Sequence, residues 1–131
     1  MSHSQAALPI DIDALNHFWF ECFERIEWHS NSALFGEQEN TGLIPPAFQY
    51  SDNRAEADQR AKDVLSGKAN SIDTPERDFT DQGVGLPQIG DMSILCDGEG
   101  KPVALLSDTA VNVQMKHGRT TVVETFEVLY K

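Results

Sequence analysis

Asp97-Gly98-Glu99-Gly100-Lys101-Pro102-Val103-Ala104-Leu105-Leu106-Ser107-Asp108-Thr109-Ala110-Val111-Asn112-Val113-Gln114-Met115 carries most of the architectural information in the chain. Val103, Leu105, Thr109, Val111, Val113 and Met115 fall on alternate positions, the period-two signature of a half-buried strand. The preceding Asp97-Gly98-Glu99-Gly100 has the chemistry of a hairpin turn, because its glycines accept backbone angles closed to other residues. Ile89 to Cys96 is then the partner strand, and Thr121 to Tyr130 a further strand with Val122, Phe126, Val128 and Tyr130 on one face.

Upstream of these strands the period changes from two to about 3.6. Ile12, Leu15, Trp19, Cys22, Phe23 and Ile26 form one helical stripe opened by Asp11 and Asp13. Phe18, Phe20 and Trp28 lie off that stripe, so the helix is either wrapped on two sides or borders a pocket. A second helix begins near Asp52 or Asn53, with Glu56 in a capping-box-like position, Ala57, Ala61, Val64 and Leu65 inside, and Gly67 as its stop. Arg54/Asp58, Glu56/Arg60 and Asp58/Lys62 are oppositely charged pairs four apart on its outer face. Ser30 to Tyr50 and Asp73 to Gly85 carry no period and read as long loops, punctuated by Pro45, Pro46, Pro75 and Gly83. Helices first and hairpin-linked strands after predict an α+β domain, its sheet curling into a small barrel with the N-terminal helices packed against it.

Composition narrows the functional classes. At 131 residues, one domain is expected over residues 1–131. Ten Lys and Arg against twenty-one Asp and Glu give a formal net charge of −11, which opposes tight, non-specific nucleic-acid binding but leaves room for a local basic pocket. No apolar run is long enough for a membrane span, and Met1 to Gln5 lack the features of a secretory signal, so a cytoplasmic protein is expected. Cys22 and Cys96 have neither metal-ligand nor redox spacing and read as buried free thiols. His3, His17, His29 and His117 form no ligand-spaced pair, and no metal or other cofactor is expected. Glu21, Glu24 and Glu27 read as a solvated helix face, and the glycines of residues 83–90 precede no helix that would make a phosphate cradle.

Ala47-Phe48-Gln49-Tyr50-Ser51-Asp52 and the helix running to Val64-Leu65-Ser66-Gly67-Lys68 resemble the start of ASCH domains, the PUA-like β-barrels associated with RNA. Gly85-Leu86-Pro87-Gln88-Ile89-Gly90-Asp91 followed by Asp97-Gly98-Glu99-Gly100-Lys101-Pro102-Val103-Ala104 is similar to that family's barrel hairpin, and Val122 to Val128 to its closing strand. The resemblance divides the chain into an N-terminal helix and long loop, residues 1–46, and an ASCH-like helix and barrel, residues 47–131. The family's Gly-x-Lys-x-x-Thr turn stands here as Gly67-Lys68-Ala69-Asn70-Ser71, one residue shorter between glycine and lysine and with Ser71 for the threonine. Asn112 to Thr120 runs directly where many members carry a helical insert, so a catalytic acid housed in such an insert is missing.

The resemblance implies a module that binds RNA, a nucleotide or a modified nucleoside in a cleft between helix and barrel. Lys68, Asn70 and Ser71 would form the polar wall, with Phe48 and Tyr50 as aromatic neighbours and binding weak and salt-sensitive. It also implies a hydrolase alternative, of the N4-acetylcytidine amidohydrolase or ribonuclease type. There Lys68 would be the activating base, Ser71 the nucleophile and Glu124 the acid. The bland reading of the pair is that Lys68 caps the negative end of the second helix and Ser71 starts a strand. A third alternative is a non-catalytic protein-interaction domain.

Overall fold

A computed structural model describes residues 5–25 and 44–131. The elements run α1 (Ile12–Arg25), β1 (Ala47–Gln49), α2 (Arg54–Leu65), β2 (Ser71–Pro75), α3 (Glu76–Asp81), β3 (Met92–Cys96), β4 (Pro102–Lys116) and β5 (Arg119–Tyr130). The five strands make one mixed sheet in the order β1-β3-β4-β5-β2, parallel at β1/β3 and antiparallel elsewhere. This is the α+β class the sequence predicts. Among the described residues β1 and β2 are the two edges of the ladder. The Tyr50 hydroxyl, just past β1, donates to the Ser71 carbonyl at the start of β2 at 3.0 Å, so a side chain spans the interval between the two edges.

The β3–β4 hairpin turns where its sequence requires. Asp97 Oδ1 accepts from the Glu99 and Lys101 amides at 2.9 and 3.0 Å, and Gly100 sits at φ 81. A side chain at Gly98 or Gly100 would strike the Arg54 or Pro9 carbonyl respectively. The missing Cβ atoms let the N-terminal segment lie across the turn, with the Leu8 and Asp11 amides bonded to the Gly98 and Gly100 carbonyls at 2.8 and 2.9 Å. Lys101 closes the junction on Asp11 and holds that carboxyl below its ordinary value, while Asp11 Oδ1 caps α1 through the Ala14 amide at 3.0 Å.

Helices cover both faces of the sheet centre. Leu15, Phe18, Trp19 and Cys22 of α1 pack on Ile94, Cys96 and Leu105, whereas Ala61 and Val64 of α2 pack on Leu95, Ala104, Leu106 and Phe126. Successive strand residues point to opposite faces, so β3 and the first half of β4 are buried on both. Burying each such aliphatic side chain favours the fold by roughly 1.5–3 kcal/mol. Burial also pushes the thiols of Cys22 and Cys96 up to about 12 and about 11, leaving both free and inert. Of the described helices, none is long and apolar enough to cross a membrane.

Several expectations are corrected. Asp73 to Gly85 is not one loop: β2 ends at Pro75, and α3 follows with Glu76 and Asp78 in its first turn. Six residues are too few to display a helical period. Ala47–Gln49, placed in the first long loop, is a strand, held beside β3 in part by the Ile94 amide donating to Pro46 O at 2.8 Å. The third strand begins at Met92 instead of Ile89, because Gly90 at φ 96 turns the chain just before it. On α1, Phe18 is buried against the Tyr130 ring at 5.6 Å, while Ile12 is 61% exposed. Arg54 and Asp58 reach Ala6 O and the Gly98 amide, so these two side chains make tertiary contacts. The expectations for Ile26, Glu27, Trp28, His29 and the loop up to residue 43 lie outside the described residues, as does His3.

Candidate functional site

A cavity of about 550 Å³ opens among the strands and α3, and every strand contributes to its wall. Phe48 comes from β1, Ile72 and Thr74 from β2, Met92 and Ser93 from β3. Asp108 comes from β4, and Glu124 and Phe126 from β5. Phe79 of α3 and the Val84-Gly85-Leu86-Pro87 loop form the far side. Phe48, Ile72 and Phe126 also belong to the α2-side core, so the inner wall of the cavity is anchored in packed interior.

Asp108 is the chemical centre of this wall. It sits at a register shift between Asp108 and Ala110, where β4 carries one residue more than β5. Such a bulge re-aims the side chains beside it. The Asp91 carbonyl accepts from the Asp108 amide at 2.9 Å and the Asp108 carbonyl accepts from the Gly90 amide at 2.8 Å, which clamps the approach to β3 against this point. The Asp108 side chain is only 7% exposed and hydrogen-bonded to Glu124. Burial pushes its carboxyl up to about 8, and the hydrogen bond to Glu124 and the charges of Glu124 and Asp91 act in the same direction. A carboxyl raised this far favours its protonated form at neutral pH, with Glu124 beside it as hydrogen-bond partner.

Cations are missing from this wall: among its described lining residues none is Lys, Arg or His. Aromatic rings beside the carboxyls of Asp108 and Glu124, with Asp78 and Asp91 also on the wall, suit a partly apolar ligand with hydrogen-bond donors at one edge. They do not suit a phosphate. Among the described residues no three His, Cys, Asp or Glu side chains converge to hold a metal ion.

The residues singled out from the sequence divide around strand β2. Phe48 and Glu124 line the cavity, and Tyr50 packs edge-on against Phe48 with ring centroids 5.6 Å apart. Burial pushes the Tyr50 phenol up to about 12; nearby Arg60 opposes the shift, while Glu124 and Asp73 add to it. Ser71 is exposed at the head of β2, and alternation along that strand turns Ile72 and Thr74 to the cavity in its stead. Lys68 and Asn70 are also exposed and are not among the cavity's lining residues. The Lys68 amide closes the α2 terminus by donating to Asp63 O at 2.8 Å, and the Asn70 carbonyl accepts from the Phe126 amide at 2.9 Å. Asp108 was absent from the sequence-derived set, although an acidic residue inside an otherwise apolar and β-forming run is a signal in itself.

The fold is shared with known structures. No family profile and no curated protein sequence matches the chain. The ASCH domain from Lactobacillus crispatus JV V101 superposes with a TM-score of 0.73 at 13% identity, covering 93% of this chain and 97% of that one. A protein of Enterococcus faecalis V583 from the family DUF984 superposes with a TM-score of 0.71 at 14% identity, over 92% of this chain and 90% of that one. The chain therefore has the ASCH-like fold that the hairpin and helix motifs suggested. At this level of identity the likeness speaks for architecture and carries no activity with it.

Proposed function

We propose that the chain is a binding module that takes a nucleoside, or the base of a modified nucleotide, into the cavity beside Asp108 and Glu124. The observation that carries this reading is the carboxyl pair of buried Asp108 and Glu124 set among Phe48, Phe79 and Phe126 with no described cation in the wall. Aromatic side chains offer a base its stacking partner, worth about 1 to 3 kcal/mol per base in single-strand binders. The carboxyl oxygens accept from exocyclic amino groups. Thr74 and Ser93 add hydroxyls that donate or accept. In this reading Lys68, Asn70 and Ser71 are outside the cavity lining, and the polar wall assigned to them is supplied by Thr74, Ser93, Asp108 and Glu124.

Titrating the four ribonucleosides and N4-acetylcytidine, each followed by calorimetry, tests the assignment. At least one should bind to the wild type and lose about tenfold or more in affinity on Phe48→Ala, the loss of one stacking partner. Absence of binding by all five would remove the proposal.

One observation favours a hydrolase as the second reading: Asp108 keeps a proton at neutral pH beside an acceptor, Glu124. Glu124 would take a proton from a water whose oxygen adds to an amide carbonyl. Asp108 would give its proton to the nitrogen as the carbon–nitrogen bond breaks, releasing acid and amine. Release of cytidine from N4-acetylcytidine, abolished by Glu124→Gln with nucleoside binding retained, would support it. No release by the wild type eliminates that activity.

A further inference from the structure

On the opposite side of α3 from the cavity lies a second concavity, of about 330 Å³, between the helix and the tip of the β4–β5 hairpin. Its lining includes Arg77 and Thr80 from α3 and Arg119 and Thr120 from β5, with Glu76 and Asp81 at the same cleft. We propose that this cleft holds a backbone phosphate of a short single-stranded polynucleotide whose base occupies the cavity; the inference rests on the base-binding reading of that cavity.

Three observations converge on it. Arg77 and Arg119 make no ion pair or side-chain hydrogen bond with any described residue, whereas Lys101, Lys116, Lys131 and Arg54 do. In a chain of net charge −11 with only ten Lys and Arg, this cleft places two guanidiniums without side-chain partners among the described residues beside the carboxylates of Glu76 and Asp81. Arginine presents a planar fork of donors that matches phosphate oxygens, and the hydroxyl of Thr80 adds a donor beside it.

The hairpin holds Arg119 in place. His117 and Gly118 both have positive φ, 52 and 77, which makes a two-residue turn of the type that matches strand twist, and Lys116 pairs with Arg119 across it. Lys116 is itself tied to Asp73 of β2 at 2.9 Å, so the arm is braced against the strand that leads into α3.

Geometry links the two concavities. Asp78, Phe79 and Gln82 face the cavity, while Arg77, Thr80 and Asp81 face the cleft, so one short helix separates them. A helix with its side chains is roughly 10 Å across, a distance a dinucleotide covers. A single strand is favoured over a duplex because a base must leave its stack to enter the cavity. A phosphopeptide would offer the cleft the same group but nothing for the aromatic cavity.

The test compares the four ribonucleosides with labelled homohexamers of the same bases, at about 50 and about 200 mM salt, on wild type and on the Arg77→Gln/Arg119→Gln double variant. The hexamer should bind about tenfold or more tighter than its nucleoside. The slope of log K against log salt should be shallower in the double variant by about 0.7, the value for one phosphate on a single strand. Nucleoside affinity should not change in that variant. Equal slopes in the two proteins would overturn the proposal, as would a phosphoserine peptide that displaces the hexamer at equal concentration. Hexamer binding that fails in the double variant, with no nucleoside binding to either protein, would uphold the cleft and refute the base site. Nucleoside binding with equal slopes would do the reverse.

Discussion

The two ends of strand β4 follow the same alternating pattern and meet opposite fates. From Ala104 to Asp108 every residue is buried, because α1 covers one face, α2 covers the other, and the lining of the cavity encloses the last position. From Asn112 to Met115 every residue is exposed, Val113 by 50% and Met115 by 70%. What separates the halves is the bulge at Asp108/Ala110 and the reach of the helices. Period-two patterning states that a segment is a strand; which faces are covered is settled by elements far away in the chain. The buried half builds the core and the cavity wall, and the free half carries Arg119 out to the second cleft.

The largest expected effect lies in the buried half. Leu105→Ala should cost about 2–5 kcal/mol in chemical denaturation, since it opens a cavity where Leu105 meets Ile94 and the α1 side chains. A loss under about 1 kcal/mol would mean that α1 does not seal that face.

At the junction of the halves, Asp108→Asn probes the buried carboxyl. The folded state holds the Asp108 proton up to about pH 8, whereas the unfolded chain releases it near 3.8. Between those values the native state binds more protons than the unfolded one, so this group's contribution to stability is full below about pH 4 and is lost as pH rises through about 8. The amide variant cannot ionise. Relative to wild type it should become more stable by about 4 kcal/mol on going from pH 5 to pH 9, roughly 1.4 kcal/mol for each of about three pH units below 8, read from thermal melts at both values. An unchanged difference between the two proteins would place an ordinary carboxyl at this position.

Smaller effects belong to the free half. Gly118→Ala puts a side chain at φ 77 and should cost about 1 kcal/mol. Val113→Thr, half exposed on the arm, should fall within about 0.5 kcal/mol. A loss at Val113 matching that at Leu105 would show that something covers the arm in solution.

The legible parts of this molecule were those with local chemistry. Asp97-Gly98-Glu99-Gly100 announced its turn, and Asn53 and Gly67 announced the ends of α2, with Asn53 Oδ1 accepting from the Glu56 amide at 2.9 Å and Gly67 at φ 86. Strand β1 and helix α3, of three and six residues, are shorter than the window in which a period shows. Phe48, Tyr50 and Glu124 were singled out by resemblance, and two of the three line the cavity. Asp108 was not, because alternation put it on the supposed solvent face of β4, and no local feature foretells that the strand is covered on both sides. Arg77 and Arg119 are 42 residues apart in sequence, and only the return of β5 along β4 brings them to one cleft.

The central claim is that a protonated Asp108 and its neighbour Glu124 form a ligand site. Carbon-detected NMR of the side-chain carboxyls through a pH titration tests it directly, first alone and then with a saturating ribonucleoside that binds. The account predicts an Asp108 titration near pH 8, and a displacement of the Asp108 and Glu124 resonances when the nucleoside is added. Titration of Asp108 near the ordinary 3.8, with both resonances indifferent to the nucleoside, would contradict it.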